Sequence, residues 1–323
     1  MKNFTFQQGI EVHEHQFLDF ADIRIGKDNR LFIDPYRVHL AALDGDVWAK
    51  KADALISSFF HTLLAAASQK DFSAIRNLIL NTCGEINDTQ LGFSSGKPCG
   101  NGASCNLIFP AIQQMIDQDL FAQGLVIDIA DIAIWAPGIG PDHLSDWVTN
   151  IVWPVLHEFT QSQFLKYGLS REPAQPAMRL AWRPSSTSWE NTAYESYSCD
   201  GHRILLCPKK FLHQKLLLSA EDFLTRQVLT YRQKEHLDQK TNLCRYVSKA
   251  DGSITIKEPS KKTLRQYEVN GQNHLDYVRF HTRENPDLIR RYHEQPEFLP
   301  GSTEHFISDA KLDAILYRSE ERR

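Results

Sequence analysis

Apolar residues recur at helical spacing through much of the first half of the chain. Within 47–67 they follow a period near 3.6 and predict a helix, and the apolar positions are Trp48, Leu55, Ile56, Phe59, Phe60, Leu63 and Leu64. A second helix is predicted at 72–80, and a third where apolar periodicity resumes at Leu107, after a Gly/Ser loop. The run "LVIDIADIAIW" at 125–135 is rich in β-branched residues and favours a strand, with a short buried helix as the alternative.

Turn-forming residues predict hairpins between these helices. "FADIRIGKDNRLFIDP" indicates two short strands about a "GKDN" turn, with Asp34 at the end of the second strand and Pro35 ending the pairing. "GHRILLCPKKF" indicates a strand entered through an Asp200-Gly201 turn, and "LSAEDFLTRQVLTYRQKEHL" indicates an amphipathic helix.

These elements predict a mixed α/β (α+β) fold, with a central short-stranded sheet flanked by helices and a more helical C-terminal portion. The proline-containing stretch "REPAQPAMRLAWRPSSTSW" is the best linker candidate. It would separate an N-terminal α/β lobe at 1–170, which contains the Gly-rich loop, from a C-terminal lobe at 171–323 with a strand hairpin and helices. One continuous domain is the alternative.

The segment "GIGPDHLSDWVTN" and its continuation to about Leu165 predict a helix with one unusual side, kinked at Pro154. At 100° per residue, one side is apolar, and the other carries a row that we call the polar stripe: Asp142, Asp146, Thr149, Asn150, Trp153 and His157. Exposed helix faces are usually built from better helix formers such as Lys and Glu. The stripe is therefore either a solvated face with Asp142 as N-cap, or a functional surface.

Two carboxylates one helical turn apart, followed by an amide, can share a hard divalent cation. Asp34 adds a third acid at a predicted strand end, and the alternative for it is a turn-forming Asp before proline. Asp34, Asp142 and Asp146 are accordingly the candidate catalytic metal ligands, and Mg²⁺ or Mn²⁺ is the expected ion. Lys209, near the end of the predicted "RILLCPK" strand, is the candidate phosphate contact.

The Gly-rich stretch "SSGKPCGNGAS" precedes a predicted helix and can hold a phosphate on backbone N–H groups at the helix start. The candidate phosphate-binding residues are Lys97, Gly100, Gly102 and Ser104. The stretch matches neither the P-loop nor the dinucleotide fingerprint, so a flexible surface loop is the alternative.

Composition limits the classes of function. The 323 residues are 42% apolar, enough for a large core. The six cysteines show no CxxC spacing, which predicts reduced thiols, and the chain shows neither a membrane span nor an export signal, which predicts a cytoplasmic protein without membrane partners. The net charge is −4, so a nucleic-acid surface must be local; "SKKTLRQYEVN" and "NPDLIRRYHEQ" are the most basic portions.

Two resemblances add to these observations. "LFIDP", the Gly-rich loop, "GIGPDHLSDWVTNIV" and "DGHRILLCPKKFL", in that order, resemble uncharacterised bacterial proteins found with restriction and anti-phage defence genes. The resemblance implies a nucleic-acid-directed role in a multi-gene system with protein partners. "ESYSCDGHRILLCPKK" is similar to the acid, strand and lysine layout of restriction-endonuclease-like nucleases, except that Cys207 stands where that family usually has an acid.

The sequence thus predicts a divalent-metal-dependent phosphodiesterase or nuclease, a hydrolase of DNA, RNA or nucleotides in antiviral defence. The first alternative is a non-catalytic subunit, whose acidic face and Trp153 bind a partner protein and whose basic C-terminal segments touch nucleic acid. The second alternative is a nucleotide-binding sensor that uses the Gly-rich loop.

Overall fold

The computed structural model describes residues 3–12, 14–80, 82–84, 86–92, 103–136, 138–169, 177–295, 298 and 301–317. Lys97, Gly100 and Gly102 lie outside the described residues, and only the backbone of Ser104 is described. The helices are α1 (Phe4–Gln7), α2 (Pro35–Leu43), α3 (Val47–Ser68), α4 (Phe72–Ile79), α5 (Ala103–Asp117), α6 (Ile132–Trp135), α7 (Pro141–Lys166), α8 (Ala220–Phe223), α9 (Leu229–Gln239), α10 (Lys261–Leu264), α11 (His274–Glu284), α12 (Asp287–His293) and α13 (Asp309–Leu316).

The strands of the described residues form separate two-stranded antiparallel sheets rather than one central sheet. The pairs are β1 (Phe32–Ile33) with β6 (Leu212–His213), β2 (Ala177–Arg183) with β3 (Ser188–Tyr194), β4 (Ser198–Cys199) with β5 (His202–Arg203), and β7 (Arg245–Ser248) with β8 (Ile254–Lys257). The mixed α+β class is confirmed, with helices also in the C-terminal part.

Helix α7 lies at the centre of the molecule and is buried on most of its circumference. It begins after an N-cap at Gly140, with Pro141 in the first helical position, and continues through Pro154 to its end. Its apolar residues pack against α3, where the Phe59 ring meets Trp147 edge to face at 5.6 Å. The predicted helices at 47–67 and 72–80 are confirmed as α3 and α4.

Two predicted β segments are wrong. The stretch before Asp34 forms no local hairpin, because β1 pairs with β6, nearly 180 residues away, and Phe20 and Arg24 make isolated bridges to other segments. "LVIDIADIAIW" forms a 3₁₀ turn at Ile129–Asp131 and then α6, the short buried helix that was the alternative, because Asp128 and Asp131 form a capping box that starts a helix there.

The C-terminal helices carry two π-helical segments. Leu224–Val228 joins α8 to α9 and confirms the amphipathic helix predicted there, while Arg265–Val269 continues α10. Buried apolar residues of 1–170 and of 171–323 belong to one connected core cluster. No helix among the described residues is long and apolar enough to cross a membrane.

Candidate functional site

The C-terminal half of the polar stripe is buried rather than solvated. Thr149, Asn150 and Trp153 are less than one tenth exposed. Asn150 Nδ2 donates to the Gly84 carbonyl oxygen at 2.7 Å, and Asn150 Oδ1 accepts from the guanidinium of Arg179 on β2 at 2.7 Å. The prediction of a solvated face is therefore wrong for these residues, because the stripe supplies the hydrogen bonds that hold the β2–β3 hairpin.

Aromatic contacts complete this attachment. The Arg179 guanidinium lies 5.4 Å from the ring centroid of Trp153, and the ring of Tyr194 on β3 meets Trp153 at 4.7 Å. His157 stacks on Trp153 at 5.1 Å, and its Nε2 lies 2.7 Å from the carbonyl oxygen of Glu195. Trp153 is thus part of an internal packing contact, which leaves it unavailable to dock a partner protein.

The N-terminal half of the stripe is half-buried, and Asp142 lies near Gly92. A Cβ built on Gly92 would lie 3.4 Å from Oδ1 of Asp142. Asp146 is close enough to Cys83 to add to the increase that burial causes in the pKa of that thiol. The thiols of Cys83 and Cys105 both lie within 3.4 Å of the Ile79 carbonyl oxygen, so the start of α5 adjoins Asp146.

Asp34 has a different environment. It is 1% exposed and is the N-cap of α2, where its carboxylate accepts from the backbone N–H groups of Tyr36 and Arg37. The same carboxylate pairs with the buried guanidinium of Arg37 and accepts from the backbone N–H of Leu217 at 2.6 Å. Internal donors therefore occupy this carboxylate.

The structure does not bring the three predicted metal ligands together. Among the described residues, which include Asp34, Asp142 and Asp146, no group of three or more His, Cys, Asp or Glu side chains is arranged to hold a metal ion. A role for these carboxylates in binding Mg²⁺ or Mn²⁺ stays a prediction.

Lys209 lies in a 3₁₀ turn, Lys209–Phe211, rather than at the end of a strand. Its ammonium donates to the His15 carbonyl oxygen at 2.6 Å and to Asp309 Oδ1 at 2.7 Å. Lys210 points elsewhere and lies 3.4 Å from Asp46 Oδ2. The side chain of Lys209 thus joins two distant segments of the chain.

A basic surface that sequence reasoning did not define lies on the β7–β8 ribbon. Every residue of β7 is exposed, and the ribbon ends in a turn in which Asp251 accepts from the backbone N–H of Ser253 at 2.9 Å and Gly252 has φ of +80°. The base of the ribbon is fixed because Gln233 of α9 donates to the Pro259 carbonyl oxygen at 2.7 Å.

We call the cationic residues of this region the ribbon lysines: Lys249, Lys257, Lys261 and Lys262. Within the described part of the chain, no ion pair involves any of them. Residues 240–265 hold seven Lys and Arg against two acidic residues, although the whole chain carries −4. The ribbon therefore presents concentrated positive charge on an otherwise acidic protein.

Comparison with known proteins gives one result. The family model described as "Domain of unknown function (DUF8370)" matches residues 9–219. No curated protein and no solved structure matches the chain. The matched range contains the polar stripe, Asp34 and Lys209, whereas the ribbon lies beyond it.

Proposed function

Since the chain belongs to the family described as Domain of unknown function (DUF8370), whose description carries no activity, we propose a function from the geometry: the protein binds nucleic acid through the ribbon lysines. The proposal takes up the nucleic-acid part of the first alternative that the sequence left open, without the partner-binding role of the acidic face and Trp153. The observation that carries it is the cluster of four lysines outside the ion pairs: Lys249 directly after β7, Lys257 at the end of β8, and Lys261 and Lys262 at the start of α10.

Some exposed lysines elsewhere on the chain are engaged in ion pairs. Lys51 pairs with Glu158 at 2.5 Å, and Lys166 pairs with Asp19 at 2.6 Å, so much of their charge is already compensated. No described carboxylate forms an ion pair with the ribbon lysines, although Lys261 is half-buried and interacts at longer range with Glu258 and Asp222. The charge of Lys249, Lys257 and Lys262 is directed mainly to solvent and to mobile anions. When a polyanion replaces those mobile ions, the release of counterions makes a favourable entropic contribution to binding.

The shape of the ribbon also suits a nucleic acid. A two-stranded β-ribbon fits the major groove of B-DNA and can equally lie along a single phosphate backbone. At the base of the ribbon the strands place Arg245 opposite Lys257, so two cations lie side by side on one face.

The test is the salt dependence of oligonucleotide binding. We expect the variant K249Q/K257Q/K261Q/K262Q to bind a single-stranded oligonucleotide more weakly than the wild type does. The magnitude of the slope of log K against log salt should fall by about 3, since each of the four phosphate contacts contributes roughly 0.7. Fluorescence anisotropy with a labelled oligonucleotide at several salt concentrations measures both quantities.

The matched control is K50Q/K51Q/K70Q/K166Q, which removes four exposed lysines from helical parts of the chain and changes the net charge equally. We expect its slope to equal that of the wild type. Equal slopes in both quadruple variants would mean that net charge alone governs binding, and the ribbon proposal would then be abandoned.

The metal-dependent nuclease and its place in a defence system stay predictions. What supports a reaction at the stripe is the half-buried position of Asp142 and Asp146, one turn apart on α7, with Asp142 close to Gly92. Incubating the same oligonucleotides with Mg²⁺ or Mn²⁺ tests it: cleavage by the wild type that Asp146→Asn abolishes, with an unchanged melting temperature, would support catalysis there. Intact oligonucleotides under every condition would oppose it.

A further inference from the structure

The C-terminal part contains a cleft of about 610 Å³ between the π-helical segment at 265–269 and α11. It is lined by Arg232, Tyr267, Glu268, Gln272, Asp276, Tyr277, Phe280 and His281. This volume is in the range of small-molecule sites. π-helical segments, such as the one that forms one wall here, occur frequently at functional positions.

The floor of the cleft is held rigid by a network around Glu268. Its carboxylate accepts from the Arg232 guanidinium at 2.7 and 3.0 Å and from the hydroxyl of Tyr277 at 2.6 Å. Although burial raises the pKa of Glu268, these hydrogen bonds and one with His236 lower it to about 2. Because the Glu268 carboxylate already has hydrogen-bond donors from the protein, a ligand must be recognised by residues at the rim of the cleft.

The rim carries two aromatic rings that the fold leaves in water. Tyr267 is 65% exposed and Phe280 is 60% exposed, whereas the chain buries most of its other aromatic residues. Gln272 and Asp276, both exposed, add amide and carboxylate oxygens beside these rings. Flat apolar surfaces bordered by hydrogen-bond acceptors suit a planar heterocycle that carries amino groups.

Two of the ribbon lysines, Lys261 and Lys262, begin the helical segment that forms one wall of the cleft. Lys262 and Tyr267 lie on the same helical segment, five residues and therefore about 8 Å apart along its axis. A nucleotide spans a similar length of backbone, so a phosphate at Lys262 and a base at Tyr267 belong to neighbouring positions of one strand.

We propose that this cleft holds a nucleobase of single-stranded nucleic acid, stacked on Tyr267 and Phe280, while the strand's phosphates lie on the ribbon lysines. The proposal rests on the proposed function and adds the class of nucleic acid. A base inside a duplex is stacked between its neighbours and cannot enter the cleft, whereas a base of a single strand can turn outward.

The test compares two short single strands of equal length and charge, an oligodeoxyadenylate and an abasic oligonucleotide. Stacking of one base predicts that the wild type binds the oligodeoxyadenylate about tenfold more tightly. In Y267A/F280A this preference should disappear, while affinity for the abasic strand and the salt slope stay at wild-type values. Both rings are exposed, so the double variant is expected to fold normally.

The matched control is F6A/F17A, which removes two rings that are 61% and 63% exposed elsewhere on the chain. It should keep the full preference for the oligodeoxyadenylate. If the wild type binds both strands equally and with a steep salt slope, the cleft proposal is overturned and the nucleic-acid proposal stands. If the wild type binds neither strand, both proposals fall.

Discussion

The side chain of Asp34 has a structural reason to be an acid. Burial lowers the pKa of the Arg37 guanidinium, and the adjacent Asp34 carboxylate counteracts that effect. Arg37 also donates from Nε to the His305 carbonyl oxygen at 2.6 Å and from Nη1 to the Lys215 carbonyl oxygen at 2.9 Å. The pair therefore holds the start of α2 to two later parts of the chain.

We expect Asp34→Asn to lower the free energy of unfolding by about 3–5 kcal/mol, because it leaves the buried guanidinium without a counter-charge. Urea denaturation at neutral pH measures this. Asp46→Asn is the control: Asp46 caps α3 but lies near the surface, and Asn is an equally good N-cap, so the cost should stay below about 1 kcal/mol. Wild-type stability in Asp34→Asn would contradict the structural role and favour a catalytic one.

At the scale of elements, the Glu268 carboxylate joins α9, the 265–269 segment and α11. Glu268 itself belongs to the 265–269 segment, and the two helices contribute its donors: Arg232 and His236 from α9, and Tyr277 from α11. The side chain of Glu268 is only 16% exposed, so solvent screens these bonds weakly. Protonation of this one group is therefore expected to loosen three elements together.

The folded pKa of about 2 lies below the ordinary value of 4.5, so the folded state binds fewer protons than the unfolded state between these values. The stabilisation is fully present above pH 4.5 and is lost as the pH falls towards 2. Wild type and Glu268→Gln should differ by about 3 kcal/mol near neutral pH and converge on acidification, as measured by urea unfolding at each pH.

Glu221→Gln serves as the control for that series. Glu221 is paired with Arg265 on the surface, with its own side chain 65% exposed, and removing its charge should cost less than about 1 kcal/mol. A difference between wild type and Glu268→Gln that stayed constant from pH 7 to pH 3 would contradict the proposed role of Glu268.

Local patterns explain which elements could be predicted from the sequence. Helices α3 and α4 follow from apolar residues spaced within one segment, whereas β1 depends on β6, which no local pattern identifies. The β7–β8 ribbon did carry a local signal, the Asp251-Gly252 turn between the β-rich runs "RYVS" and "SITIK", and sequence reasoning missed it. In the same way, "DPYR" places Arg37 one turn after the N-cap Asp34, which could have indicated their pairing.

The candidate sites depended on contacts across longer distances. Nothing near Lys209 in the sequence indicates that its ammonium meets Asp309, and the helical wheel of α7 cannot show that a hairpin covers Asn150. The wheel separated polar from apolar residues correctly, but neither interpretation of the polar side, a solvated face or a functional surface, included burial of its C-terminal half under a hairpin. A single sequence does not specify which later segment packs on a polar helix face.

At the scale of the whole molecule, C-terminal helices that lie beyond the family-matched range form hydrogen bonds to residues within that range. Asp313 of α13 lies 2.6 Å from Nδ1 of His15, and the Asp22 backbone N–H donates to His15 Nε2 at 3.0 Å, so Nδ1 carries the proton and donates to Asp313. The hydroxyl of Tyr317 donates to Asp22 Oδ2 at 3.0 Å. The N-terminal segment and α13 therefore stabilise each other.

Helix α12 makes a second attachment of this kind. Nε2 of His293 lies 2.7 Å from Oδ1 of the fully buried Asp131, and the hydroxyl of Tyr36 donates to the His293 carbonyl oxygen at 3.1 Å. Asp131 belongs to the capping box that precedes α6. The family-matched range and the helices that follow it are therefore linked at two well-separated positions.

Lys209 also links α13 to the N-terminal segment through Asp309 and the His15 carbonyl oxygen, and its replacement tests this attachment. We expect Lys209→Met to lower the free energy of unfolding by about 2 kcal/mol, because the His15 carbonyl oxygen and Asp309 lose a charged donor. Amide hydrogen exchange in 309–316 should accelerate more than in α7, since the contact between α13 and the N-terminal segment opens before the core does.

Lys210→Met is the matched control for this change, because the neighbouring ammonium meets only Asp46 at 3.4 Å on the surface, and exchange in α13 should stay at the wild-type rate. Oligonucleotide affinity should be nearly unchanged in Lys209→Met, since the ribbon lysines remain. The opposite result would be unaltered exchange in 309–316 together with lower oligonucleotide affinity and a lower salt slope. The Lys209 ammonium would then be a phosphate contact, as the sequence first predicted, and the attachment of α13 would not depend on it.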